Sequence, residues 1–132
     1  MFKKLEAVGI MVKNLDEALE RYTQAFGLPK VSIEDFPHDG VNGARVPIGD
    51  AILDLMEPTD PNGAVAKSMA RRGEGVFLIT VSVDNLDATC RHLEAMGCRL
   101  IEGEVAPGSN FRHVFVHPSF SHGVLIEMIE SP

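Results

Sequence analysis

The sequence predicts a small α+β protein made of two tandem βαβββ modules. Two matched segment pairs predict it, together with a local grammar that both copies share. Val8-Gly-Ile-Met-Val-Lys-Asn-Leu-Asp16 is echoed by Ile79-Thr-Val-Ser-Val-Asp-Asn-Leu-Asp87, with Asn-Leu-Asp at the same phase. Ile52-Leu-Asp-Leu-Met-Glu57 is echoed by Leu125-Ile-Glu-Met-Ile-Glu130. One such match could arise by chance. Two in the same order at nearly the same offset point to duplication.

Each copy opens on a short strand of β-branched alternation, Val8/Ile10/Val12 or Ile79/Val81/Val83. Asn14 or Asn85 then offers a helix N-cap, and Glu17 completes a capping box in the first copy. Leu15, Ala18, Leu19, Tyr22 and Phe26 recur at helical spacing, as do Leu86, Cys90, Leu93 and Met96. Gly27 and Gly97 stand where a left-handed residue would end each helix. Three strands follow in each copy, near 30–35, 42–48 and 51–57, then near 98–104, 111–117 and 123–130. Turn residues separate them: Pro37 to Gly40, Gly49-Asp50, Pro107-Gly108, and Pro118 to Gly123. Residues 59–75 do not repeat. Pro61-Asn-Gly opens this stretch, Ala64 to Arg72 reads as a short helix, and Gly73-Glu-Gly closes it. The expected organisation is one domain: module 1 at 1–58, an ordered linker at 59–75 and module 2 at 76–132.

Composition narrows the partners. A net charge of −7, with basic residues thinly spread, excludes a nucleic-acid backbone or an anionic membrane surface. No apolar run approaches the roughly 18 residues that span a bilayer. The segment after Lys3-Lys4 is too short for a signal sequence, so a cytoplasmic protein is expected. Cys90 and Cys98 fall in or just after an apolar helix pattern and read as free, buried thiols.

Strand period assigns the two sheet faces. Val8, Ile10, Val12, Ala44, Val46, Ile48, Leu53 and Leu55 should pack on a helix, as should Ile79, Val81, Val83, Val114 and Val116. The opposite face then carries Ala7, Gly9, Met11, Gly43, Arg45, Pro47, Ile52, Asp54 and Met56 in the first copy. In the second it carries Leu78, Thr80, Ser82, His113, Phe115, Leu125, Glu127 and Ile129. Two carboxylates, hydroxyls, an arginine and a histidine among apolar neighbours suit a ligand cleft. Asp54 and Glu127 are related by the repeat, so the copies are expected to present them to a shared cleft. His113 reads first as a hydrogen-bonded structural histidine. His117 and His122 read as structural or solvated, His38 as a loop residue over the cleft, and His92 as surface.

On Val12-Lys-Asn-Leu-Asp-Glu-Ala18, Val46-Pro-Ile-Gly-Asp50, Leu55-Met-Glu-Pro58, Arg72-Gly-Glu-Gly75, His117-Pro118 and Gly123-Val-Leu-Ile-Glu127, the chain resembles the vicinal oxygen chelate superfamily. This is the glyoxalase, bleomycin-resistance and extradiol dioxygenase group, and the resemblance is to its methylmalonyl-CoA epimerase branch. The resemblance implies a curved eight-stranded mixed sheet around a cleft, with helices on the outer face, and a homodimer. It also implies four metal-ligand positions, which fall here on Ala7, Asp54, Leu78 and Glu127. A methyl and an isobutyl group cannot ligate, so no metal is expected beyond a hard cation such as Mg or Mn, held weakly on Asp54 and Glu127. The third-strand glutamate of the epimerases falls on Gly43.

The expected chemistry is proton transfer α to a carbonyl of a small acid or acyl-CoA, as in an epimerase, isomerase or lyase. Glu127 would be the base and Asp54 the acid or orienting group. Arg45, His113, Met11, Thr80, Met56 and Phe115 would line the substrate. The alternative is a metal-free protein that sequesters a small molecule, as bleomycin-resistance relatives do. A non-catalytic partner subunit of an acyl-CoA enzyme is a third reading.

Overall fold

A computed structural model describes residues 1–132. Eight strands form one mixed sheet, as the repeat predicts, and three helices accompany it. The order along the chain is β1 (Phe2–Met11), α1 (Leu15–Gln24), β2 (Glu34–Phe36), β3 (Val41–Ile48), β4 (Ala51–Pro58), α2 (Ala64–Arg72), β5 (Gly75–Val83), α3 (Leu86–Ala95), β6 (Leu100–Glu102), β7 (His113–Val116) and β8 (Ile126–Glu130). The chain groups into two compact units: Ala7–Phe77, and Leu78–Pro132 together with Met1–Glu6. The linker stretch thus lies within the first unit.

In the first unit the strand order is β2-β3-β4-β1, with β1 parallel to β4 and the other pairs antiparallel. One face packs on α1. Leu15 and Leu19 meet Val12, Ala44, Val46 and Leu55, with Ile10 and Leu53 at the margin. Period two placed these residues correctly, except that Ile48 is 45% exposed. It is the last residue of β3, beside the Gly49-Asp50 turn. The other face is not left open along its length. Val65 of α2 packs there on Met11 and Val41, with Phe36, Met56 and Met69 around them. The helix from the non-repeating segment therefore seals part of the face assigned to a ligand.

In the second unit the order is β5-β8-β7-β6, with β5 parallel to β8. Its core joins Val81, Val83, Val114, Val116 and Met128 to Leu86 and Cys90 of α3 and to Cys98. Gly97, at φ +86°, reverses the chain after α3, and the Cys98 N–H returns to the Leu93 carbonyl.

The helix starts repeat in detail. Asn14 accepts from the Glu17 N–H and Asn85 from the Ala88 N–H, each at 2.9 Å. The expected reciprocal bond from the Glu17 side chain gives way to another arrangement, in which that carboxylate lies 3.9 Å from Arg21. Glu57, the last acid of the repeated strand motif, instead accepts from the Leu15 N–H at 2.9 Å. Its repeat partner Glu130 accepts from the Leu86 N–H at 2.8 Å. An acid at the end of each fourth strand thus caps its own module's helix and faces the positive end of the helix dipole. Glu57→Gln and Glu130→Gln should each lower stability by about 1 kcal/mol, read as a shift in the urea midpoint at unchanged slope.

Candidate functional site

Each unit presents one polar constellation on the face away from its long helix. In the first, Asp54 of β4 lies between Gly9 of β1 and Arg45 of β3 in the strand register. The Arg45 Nε approaches the Asp54 carboxylate at 3.9 Å, with the side chains 56% and 30% exposed. At that distance and exposure it is a loose ion pair.

The constellation in the second unit is tighter. Glu127 of β8 lies between Thr80 of β5 and Phe115 of β7. The Thr80 hydroxyl donates to Glu127 Oε1 at 2.8 Å, and His113 Nδ1 lies 2.7 Å from Oε2. The far nitrogen of the ring, Nε2, lies 2.9 Å from the Glu104 carbonyl oxygen. A carbonyl oxygen only accepts, so Nε2 carries a hydrogen. A second proton must then lie between Nδ1 and Oε2, because two lone pairs at that distance would repel.

The ring of His113 is boxed in. Phe111 and Phe115 flank it at centroid distances of 5.7 and 5.2 Å. On a third side it lies against Gly103, where a Cβ would come within 2.4 Å of Nε2. Arg112 fastens the adjoining loop by hydrogen bonds to Glu102 and Asp87. Those bonds, led by the one to Glu102, push its pKa still higher and keep it charged.

Among the residues predicted to line a substrate, Thr80, His113 and Phe115 gather around Glu127, and Arg45 stands beside Asp54. Met11 and Met56 fall in the patch under α2, with Met11 only 1% exposed. Met11 is core there, a consequence of the extra helix that the repeat could not forecast. His117 Nδ1 meets the Ser119 hydroxyl at 2.7 Å inside its Pro turn, as expected of a structural histidine. His38 and His92 are exposed, His38 in its turn and His92 on α3.

Gly43, the position of the epimerases' third-strand glutamate, is covered by the Phe36 ring, which a Cβ there would meet at 2.9 Å. By register Gly43 stands two residues before Arg45 as His113 stands two before Phe115. The polar side chain at this level of the repeat therefore belongs to the second copy. Sequence reasoning missed Gly103, Glu104, Phe36 and Glu6, whose carboxylate accepts from the Ser82 hydroxyl at 2.7 Å. Gly103 did carry a signal. An isolated glycine inside a strand pattern marks a close approach.

The metal of this fold would draw on Ala7, Asp54, Leu78 and Glu127. Ala7 is buried and, like Leu78, has no lone pair to give. Both oxygens of Glu127 are already hydrogen-bonded. These residues do not fit the nitrogen- and oxygen-ligated ions that the fold otherwise holds.

Cys90 and Cys98 are free and buried, and burial pushes both thiols above their ordinary pKa. They should resist iodoacetamide in the folded protein and react fully in urea. The unfolded thiols ionise first as pH rises, so stability should hold below the ordinary thiol range and fall through it. Urea titrations at pH 7, 8.5 and 9.5 read that trend.

The fold is that of a vicinal oxygen chelate domain. Residues 7–116 match the Glyoxalase/Bleomycin resistance protein/Dioxygenase superfamily, and the chain belongs to it. Human mitochondrial methylmalonyl-CoA epimerase is 28% identical over 127 residues, covering 95% of this chain and 72% of that protein. The crystal structure of methylmalonyl-CoA epimerase from Mycobacterium tuberculosis is 36% identical, with TM-score 0.83 over 99% of this chain and 90% of that one. A variant of the Streptomyces coelicolor epimerase, in complex with 2-nitronate-propionyl-CoA, is 30% identical, with TM-score 0.85 over 99% and 96%. No helix is long and apolar enough to cross a membrane.

Proposed function

We propose that this protein moves a proton α to the thioester carbonyl of an acyl-CoA, as an epimerase does, without a transition metal. The observation that carries the reading is the Glu127 carboxylate, held at both oxygens on a half-apolar sheet face, at the last-strand acid position of a fold whose relatives are epimerases. Glu127 takes the α-proton. Asp54 serves as the second acid or orients the substrate, and Arg45 holds its carboxylate or the developing enolate oxygen. Thr80 and Phe115 stand nearest Glu127 and would contact the acyl group, whereas Met11, under α2, is left out of that wall. A hard cation such as Mg or Mn at Glu127 would have to displace His113, so its hold there would be weak.

Deuterium incorporation from heavy water into methylmalonyl-CoA, read by mass and run with and without a chelator, tests the reading. Chelator-insensitive incorporation supports it. Absence of incorporation into any acyl-CoA, with tight binding of a bulky apolar ligand, would instead support sequestration. The Phe36 ring over Gly43 favours that second reading, because it occupies the place of an acid–base residue. We also propose a homodimer. Phe2 and Leu5, about half exposed on β1, offer it apolar surface, and sedimentation would read twice the 14.4 kDa chain mass.

A further inference from the structure

We infer that His113 is a positioning residue for Glu127, doing by hydrogen bond what a coordinated ion does for the last-strand acid where the superfamily keeps its metal. The inference rests on the reading of Glu127 as the proton-transferring group. A glutamate's terminal torsion is broad, so a carboxylate on a strand turns freely unless something holds it. Here one oxygen is held by Thr80 and the other by His113. The two hydrogen bonds fix the plane of the carboxylate and leave its remaining lone pairs for a substrate proton.

The histidine is itself held, which a chance contact would not require. The Glu104 carbonyl fixes Nε2, the absence of a side chain at Gly103 makes room for the ring, and Phe111 and Phe115 flank it. A supported orienter of this kind is what ligating side chains ordinarily have behind them. The first-strand positions that would have ligated an ion are hydrocarbon, at Ala7 and Leu78. The imidazole occupies the repeat counterpart of Gly43, so the copy that keeps the better-held acid also carries its partner.

Three variants and a spectrum test this. His113→Leu removes both ring contacts. His113→Asn keeps an amide donor near the place of Nδ1. Gly103→Ala keeps the imidazole but forces it to move. With methylmalonyl-CoA in heavy water, His113→Leu and Gly103→Ala should each lower kcat about 10- to 100-fold, with KM little changed. His113→Asn should recover most of the loss. A rise in KM alone, or a loss of thermal stability with kcat intact, would overturn the inference. If His113→Leu does not fold, Gly103→Ala and His113→Asn still decide it.

Nitrogen–proton NMR of the labelled imidazole gives an answer independent of turnover. Nε2 should bear a hydrogen, and Nδ1 should share a strongly deshielded proton that Glu127→Gln abolishes. An Nε2 without hydrogen would overturn the inference, as would ring resonances moved by one equivalent of Co²⁺ or Zn²⁺. If the ring spectrum is as expected but the wild type exchanges no proton with any acyl-CoA, the proposed function falls and the fixing of Glu127 stands. If the wild type exchanges and His113→Leu exchanges equally well, only the positioning role falls.

Discussion

Glu127→Gln is expected to reduce solvent exchange into an acyl-CoA by about 100-fold or more, the range for loss of a general base, while the fold persists. An amide keeps the volume of the carboxylate and its carbonyl oxygen can still accept from Thr80, so no cavity opens. The amide nitrogen faces His113 Nδ1 and can donate to it once the ring gives up its extra proton. What disappears is a group able to receive a proton from carbon. Parallel kinetics on Asp54→Asn separate the two acids. Its carboxylate is 30% exposed, with Arg45 Nε at 3.9 Å, and an orienting role should appear as a smaller fall in kcat than at Glu127. Arg45→Ala, by contrast, should raise KM more than it lowers kcat if the guanidinium binds a substrate carboxylate. Full activity in Glu127→Gln would remove the proposed mechanism, whatever the fold.

The fold was legible because its signals are local and doubled. Period two in Val81/Val83 and Val114/Val116, the Asn14 and Asn85 caps and the helix at Ala64–Arg72 all depend on near neighbours and appear where they were expected. The misplaced edges have long-range causes. The strand expected at 30–35 is Glu34–Phe36, because Leu28 and Val31 spend their apolar character on the α1 core. The one expected at 98–104 is Leu100–Glu102, with Cys98 drawn into the other core and Gly103 passing beneath an imidazole. β8 begins only at Ile126, after His122 and Gly123 turn the chain at positive φ. Of the candidate site, the acids were legible, since Asp54 and Glu127 follow from the repeat. Its supporting contacts were not. The Nε2 bond runs to a backbone carbonyl of Glu104, which any residue could supply, and residue identity therefore carries no trace of it. The burial of Met11 depends on α2, which belongs to neither copy of the repeat.

Each unit's core supplies a stability prediction of comparable size. Leu55 and Met128 are both fully buried, one in each unit. Leu55 lies in register with Ala44 and Ile10. Ala44 is too small to fill a void beside it, and Ile10 is β-branched and stiff at its first torsion. Met128 lies between Val81 and Val114 in the same way. Truncating either to alanine therefore leaves a space that its neighbours cannot close, and the cost should reach about 2–5 kcal/mol. On a chain of this length that lowers Tm by several degrees per kcal/mol, readable by calorimetry. Met128→Leu supplies the control. It keeps the volume and should cost less than about 1.5 kcal/mol. Were Met128→Ala no worse than Met128→Leu, the second unit's core would be able to collapse onto the gap. The strands that hold Thr80, His113 and Glu127 in register would then be softer than the hydrogen-bonded site requires.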